Sequence, residues 1–275
     1  MNPATAPSPD RPSWRPTPVL AASIVLHLAA LLAIGLDPAH WQWAAAALLA
    51  NHALLTAIGL WPRSRLLGPN VSRLPAAAAA RGEIALTIDD GPDPAVTPQV
   101  LDLLDAHGVR ATFFCIGTNV ERHPDLARDI VRRGHAVENH AHHHGWHFAF
   151  QGVGGLTREL AAAQDTIARV TGAAPLFFRA PAGLRSPLLE PVLCRLGLRL
   201  ASWTRRGFDT VHSDPDTVRR RLLRGLAAGD ILLLHDGNAA RTAAGTPVVL
   251  EVLPQVLAAI RAAGLKPVTL RAALR

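Results

Sequence analysis

Residues 84–94 read IALTIDDGPDP, and how this stretch is taken decides the fold. Ile84 to Asp89 is a short apolar run that ends on a pair of aspartates, and Asp-Asp-Gly is ordinarily a turn. PQVLDLLDAHG (98–108) follows with the spacing of a helix, so the first unit reads as strand, turn, helix. The unit then recurs. ATFFCIG (111–117) precedes ERHPDLARDIVRRG (121–134), and HAVEN (135–139) precedes a helix expected over Thr157 to Val170. LFFRAP (176–181), LRLASW (198–203), DILLLH (230–235) and KPVTL (266–270) carry the alternation onward, each after a helical segment. A strand followed by a helix, about seven times over, predicts a parallel α/β architecture, and so many units favour a barrel.

In such barrels the chemistry sits where strands end and loops begin. Asp89 and Asp90 end the first strand, His140 and His144 lie just past the third, Arg179 ends the fourth, Asp209 follows the fifth and His235 ends the sixth. Taken singly, each has an ordinary explanation: a turn carboxylate, a surface charge, a hydrogen-bonded strand-end histidine. Together they ring one mouth. A carboxylate oxygen with two imidazole nitrogens is a common ligand set for zinc or a similar divalent ion, with positions left open for water and substrate. A second carboxylate can take the water's proton, and adjacent aspartates could divide the two roles. A histidine on the opposite side can protonate a departing amine, as amide hydrolysis requires.

The segment before residue 82 has another character. Val19 to Leu36 and Trp41 to Trp61 are each about the length that crosses a bilayer, with DPAH (37–40) between them. The expectation is a tail over residues 1–17, a transmembrane helical hairpin over 18–62, a Pro/Ala-rich linker over 63–81 and a catalytic domain over 82–275. A cleaved signal peptide is disfavoured because a second apolar run follows the first almost at once. Trp41, Trp43 and Trp61 mark the ends of the second span, where amphipathic rings favour the headgroup zone. His27 should meet Asn51 and His52 at one depth, partnering polar groups that hydrocarbon would otherwise leave bare. Arg11 and Arg15 precede the hairpin and Arg63, Arg65 and Arg73 follow it, while its turn has neither Lys nor Arg. The positive-inside bias places the catalytic domain on the cytoplasmic face of a bacterial inner membrane.

A net charge of +7 might suggest nucleic acid. The arginines beyond residue 81 are scattered singly or in small groups along helices without aromatic interleaving, so no nucleic-acid footprint is present. Two cysteines form no framework in a chain of this size, and Cys115 reads as a buried strand residue. ENHAHHHGWH (138–147) holds five of the chain's thirteen histidines. Being internal, it is no purification tag.

LTIDDGPDP resembles the first motif of the polysaccharide deacetylases, the carbohydrate esterase family 4 that shares the chitooligosaccharide deacetylase (nodulation-type) homology domain. The resemblance continues in order through ATFFCIGTNVERHPDLARDIVRRGHAVENHAHHH, FFRAPAG, SWTRRGFD and ILLLHDG, spanning roughly residues 82–270. It implies a distorted (β/α)7 barrel. It implies Asp89 as general base and Asp90, His140 and His144 as metal ligands, the two histidines being four apart on one face of a helical turn. His142 and His143 are then bystanders. Arg179 resembles the arginine that pairs with the base, within an Arg-x-Pro-x-Gly motif completed by Pro181 and Gly183. His235 resembles the general acid, with Leu233 as a substrate-facing strand residue, and Asp209 resembles the aspartate that tunes the acid. The implied cofactor is a divalent metal, Zn2+ first, with Co2+, Ni2+ or Mn2+ as alternatives.

The departures shape the substrate expectation. Ala141 stands where the family has Ser or Thr, Gly145 replaces a frequent Pro or Ser, and Arg206 occupies a position that is often Asp. Thr210 replaces a Trp that walls the sugar groove, and the chain has no tyrosine. Loss of that wall shifts the expectation from an extended polymer toward a short or lipid-linked glycan. The expected function is therefore removal of an N-acyl, chiefly acetyl, group from an amino sugar of a membrane-associated glycan or glycolipid. Alternatives are a deformylase of a polyprenyl-linked amino sugar and a peptidoglycan deacetylase. From other classes come a non-catalytic membrane glycan-binding protein and a histidine-rich metal-handling protein, the latter giving Asp89, Arg179 and His235 no purpose.

Overall fold

The computed structural model describes residues 14–275; the rest of the expected tail, Arg11 included, lies outside the described residues. Two antiparallel helices come first, α1 (Pro18–Leu36) and α2 (Trp41–Gly59). Thr17 caps α1 and Pro18 opens it, both favourable at a helix start. Asp37 ends it and accepts the Ala39 N–H at 2.9 Å to form the tight connection. His27 meets His52 as expected, their Nε2 atoms 3.4 Å apart, whereas Asn51 donates instead to Ser23 Oγ at 2.9 Å, one turn away on α1. Among the described residues α1 alone is long and apolar enough to cross a membrane; α2 matches its length but falls short in hydropathy. Leu20, Leu55 and Ile58 join Leu67 in a small cluster at the hairpin's foot.

The rest of the chain is built from α3 (Ala76–Ala80), β1 (Glu83–Asp89), α4 (Thr97–Ala106), β2 (Thr112–Cys115), α5 (Gly117–Arg122), α6 (Pro124–Arg132), β3 (Ala136–Asn139) and α7 (Val153–Thr171). There follow β4 (Phe177–Phe178), α8 (Leu189–Leu196), β5 (Arg199–Leu200), β6 (Arg205–Arg206), α9 (Pro215–Leu223), β7 (Ile231–His235), α10 (Val248–Ala262), β8 (Lys266–Val268) and α11 (Leu270–Ala273). All strand pairs are parallel, in the order β5-β4-β3-β2-β1-β7-β6, with β8 also against β1.

Alternation along the strands sorts two cores. Ile84, Leu86 and Ile88 of β1 face the helices with Leu232 and Leu234 of β7. Ala85 faces inward with Phe114, Phe177, Trp203, Ile231 and Leu233. The same period brings Asp89 and His235, paired in register, to the inner end of their strands.

The expected distorted (β/α)7 barrel takes the form of a half-barrel of parallel strands: β4, β5 and β6 are only two residues long, and β5 and β6 do not pair, which leaves a gap. Residues of the expected linker occupy the gap. Val71 N donates to Leu200 O at 2.9 Å, Ser202 N donates to Val71 O at 3.0 Å, and Leu74 N donates to Gly229 O at 2.8 Å. Arg73 reaches the fully buried Asp230 at 3.0 Å, supplying with Arg205 the countercharge that a buried carboxylate requires.

Candidate active site

At the C-terminal ends of the strands a cavity of about 240 Å³ is lined by Asp89, Asp90, His140, His144, Gly183, Trp203, Arg206, Leu233, His235 and Asn238, among others. Asp90 sits at the turn after β1 with φ 76°, a left-handed conformation that Asp tolerates better than most residues. His140 and His144 do not lie on a helical turn. Residues 140–147 are irregular, and His144 reaches the site through its own positive φ of 53°. Ala141, Ala182 and Asn238 are likewise left-handed, so backbone strain gathers around this mouth.

His140 Nε2 and His144 Nε2 lie 3.2 and 3.3 Å from the same atom, Asp90 Oδ1. That oxygen is buried and has no hydrogen-bond donor. His140 Nδ1 is 2.8 Å from Arg179 O, and a carbonyl can only accept, so the ring's neutral proton belongs on Nδ1. The lone pair of Nε2 then faces the lone pair of Asp90 Oδ1, an arrangement that calls for a cation between them. Burial pushes the Asp90 carboxyl up, but the imidazoles of His140, His235 and His144 around it outweigh burial and hold the group below the usual carboxylate range. Burial and the neighbouring His140 lower His144, favouring the neutral form that ligates metal. The three ligand atoms lie within 4.8 Å of one another, and this donor set fits a divalent ion.

Two buried pairs flank the triad. Arg179 is 1% exposed, and its Nη1 donates to Asp89 Oδ1 and to Thr87 Oγ1, both at 2.7 Å. Its Nη2 donates to Ser202 O at 2.9 Å, and its guanidinium lies 4.0 Å from the Phe114 ring centre. Burial lowers the Arg179 pKa and Asp89 opposes the shift. On the other side, Asp209 is fully buried and accepts both the His235 backbone N–H (2.7 Å) and Nδ1–H (2.8 Å). Burial works against the His235 cation, but Asp209, with Asp89 and Asp90, outweighs it and raises the pKa. Arg179 and Asp209 thus stand behind the cavity wall, each holding a residue that lines it. Pro181 is buried in the turn 181–183, and it is Ala180, Ala182 and Gly183 that face the cavity.

Gly183 is needed twice over. Its φ is 76°, and a Cβ there would lie 2.6 Å from the Trp203 ring and 2.8 Å from Pro62 Cβ. Pro62 follows α2, so the hairpin's foot touches the wall of this cavity.

Other contributors emerge only in three dimensions. Trp203 lines the cavity, and Arg206 lies 5.3 Å over its ring and 4.9 Å over Phe208. An aromatic wall therefore exists despite Thr210, supplied from just beyond β5. Asn238 donates to Asp90 Oδ2 at 3.2 Å, and Asn119 donates to Asp90 O at 2.9 Å. Asp236 is buried, accepts the Thr97 hydroxyl at 2.5 Å and is pushed up to about 7 by burial. Thr87 carried a sequence signal, since it stands two residues before Asp89 on the same strand face. Two other histidines of the run point elsewhere: His143 is bound to Glu159 at 2.8 Å, and His142 Nε2 lies 3.9 Å from Glu121.

The profile of the polysaccharide deacetylase family matches residues 77–201. A chitooligosaccharide deacetylase of Azorhizobium caulinodans is 32% identical over 193 residues, 67% of this chain and 90% of that protein. A peptidoglycan-N-acetylglucosamine deacetylase of Bacillus cereus is 29% identical over 179 residues, 64% of each chain, so this chain spans less than two thirds of that relative's length. Among solved structures, a family 4 carbohydrate esterase from Streptomyces lividans in complex with acetate is similar at 29% identity, with a TM-score of 0.61 over 68% of this chain and 91% of that one.

Proposed function

We propose that this chain, which belongs to the polysaccharide deacetylase family, is a metal-dependent hydrolase that removes an N-acetyl group from an amino sugar of a membrane-associated glycan or glycolipid. The observation that carries the reading is the donorless Asp90 Oδ1 facing two imidazole nitrogens, flanked by the Arg179–Asp89 and Asp209–His235 pairs.

Asp90, His140 and His144 would hold a divalent ion, zinc first, and the chemistry it supplies is acidification of water and polarisation of the acyl oxygen. Arg179 occupies Asp89 Oδ1 and leaves Oδ2, 3.8 Å from His140 Nε2, free to take the proton of the attacking water. His235 is kept protonated by Asp209, which holds Nδ1–H and leaves Nε2 to protonate the amine as its bond to the acyl carbon breaks. The products are acetate and the free amino sugar. Trp203 offers a ring for a sugar face, and the guanidinium of Arg206 against it favours an anionic group nearby.

Membrane association is supported by the apolar α1, whose Ile24, Val25, Leu28, Leu31, Leu32 and Leu36 are all exposed. The close approach of Pro62 to Gly183 brings the hairpin to the groove, consistent with a substrate held at the same surface. The arginines at both hairpin ends favour a cytoplasmic catalytic domain.

Asp89→Asn should keep the metal and lose turnover on N-acetylglucosamine oligomers and on a lipid-linked N-acetylated sugar. Full activity in that variant would refute the base assignment. Acetate as the released acid supports the reading, whereas formate would replace it with a deformylase.

A further inference from the structure

At the opposite end of β4 and β5 from Arg179 lies a second and larger cavity, about 1060 Å³. Leu176, Phe177, Leu198 and Leu200 form its apolar floor, with Trp14 and Leu274 at its sides. Around it stand Arg15, Arg65, Arg199 and Arg275. Among the described residues none of these four guanidiniums has an ion-pair or hydrogen-bond partner. Arg271, also on the wall, is engaged by contrast with Glu138 at 2.5 Å and Ala174 O at 2.8 Å. Among the described residues Glu190 is the one lining side chain that bears a carboxylate; burial draws it toward its neutral form, and it takes the Cys194 thiol at 3.6 Å. The cavity thus combines an excess of unpaired planar cations with a hydrocarbon-like floor. Guanidinium groups are the preferred partners of phosphate oxygens.

Its location narrows the ligand. Trp14 and Arg15 immediately precede α1, and Arg65 follows α2 by six residues. Thr17 Oγ1 donates to Leu66 O at 2.6 Å, tying the two ends together. On the membrane reading given above, on which this inference rests, both ends leave the bilayer here, and the arginines stand at headgroup height beside an interfacial Trp.

We infer that this cavity binds the phosphate of an anionic membrane lipid, with the guanidiniums on the phosphate and the start of the lipid's chain against Leu176, Leu198 and Leu274. The site lies apart from the triad and contributes no group to hydrolysis. Its consequence is positional: a lipid seated here fixes the height of the half-barrel over the bilayer, and with it the height of the catalytic mouth beside Pro62.

The test uses the full-length, metal-loaded protein in a neutral detergent. Thermal unfolding is followed against dihexanoyl phosphatidic acid, dihexanoyl phosphatidylcholine and inorganic phosphate, with amide hydrolysis of a soluble N-acetylglucosamine oligomer measured in the same samples. Phosphatidic acid should give a saturable rise in Tm of about 3–5 °C. In the double variant Arg65→Gln/Arg199→Gln the response should need at least about tenfold more lipid. An equal rise with phosphatidylcholine, an equal rise with inorganic phosphate, or an unaltered response in the double variant would each overturn the lipid-phosphate site. Loss of the lipid response with hydrolysis intact sinks this inference alone; absent hydrolysis in the unaltered protein sinks the deacetylase reading instead.

Discussion

Replacing Asp209 by Asn is the sharpest perturbation of the acid half of the site. Asp209 Oδ2 accepts the backbone N–H of His235 at 2.7 Å and Oδ1 accepts its Nδ1–H at 2.8 Å. An amide has one oxygen, so one of these donors must face an NH2 group. The countercharge disappears as well: two unit charges about 4 Å apart in a medium of effective dielectric 20 attract by about 4 kcal/mol. Burial already works against the His235 cation, and without Asp209 it should prevail. Loss of the opposite charge in contact with His235 moves its pKa downward. Because His235 must be protonated to serve as the acid, activity falls as pH rises through its pKa. The descending limb of kcat against pH should therefore move to lower pH, and neutral-pH turnover should drop by about 10²- to 10⁴-fold. The assay is acetate release across pH, with metal content and circular dichroism confirming an intact site and fold. A limb that stays in place, with turnover within about threefold of the unaltered protein, would refute the role given to Asp209.

Metal stoichiometry separates ligands from bystanders. One ion per chain should be found, lost in His140→Ala and kept in His142→Ala; equal loss in both would make the histidine run itself the binding element. Gly183→Ala should cost about 1–2 kcal/mol from the left-handed backbone alone and force Trp203 or Pro62 to move, raising KM for the oligomer; an unchanged KM and Tm would contradict the tight contact. His135 is buried, accepts the Ala111 N–H at 3.1 Å and has its pKa lowered to about 4, by burial first and then by the charge of Arg110. The unfolded chain takes up this proton near pH 6.5 and the folded chain only near 4, so stability falls as pH falls through that window. The loss from pH 7 to pH 5 is about 2 kcal/mol, read by chemical denaturation; His135→Gln should flatten the slope, and an undiminished slope would place the proton elsewhere.

Much of this molecule was legible before any coordinates. The period-two pattern of IALTID and DILLLH set which strand faces look inward, and hence where Asp89 and His235 emerge. The reciprocal spacing of His27 and His52 about the DPAH turn set the pairing of α1 with α2. Both are properties of backbone period and chain distance, which a linear string carries in full.

What remained hidden depends on contacts between distant segments. Nothing local makes β4, β5 and β6 two residues long, or sends Val71–Leu74 into the gap beside β5; those outcomes follow from which edge is left unpaired when the sheet curls. The histidine pair four residues apart resembles a helical turn in one dimension, yet Asp90 draws both rings together through a loop with left-handed residues. The aromatic wall lost at Thr210 returns at Trp203, and four arginines from the segments flanking the hairpin, β5 and the C-terminus gather at one cavity. Sequence determined the chemical groups and the faces that carry them. Tertiary structure alone decided which groups meet, because side-chain convergence is set by strand register and edge closure rather than by any period along the chain.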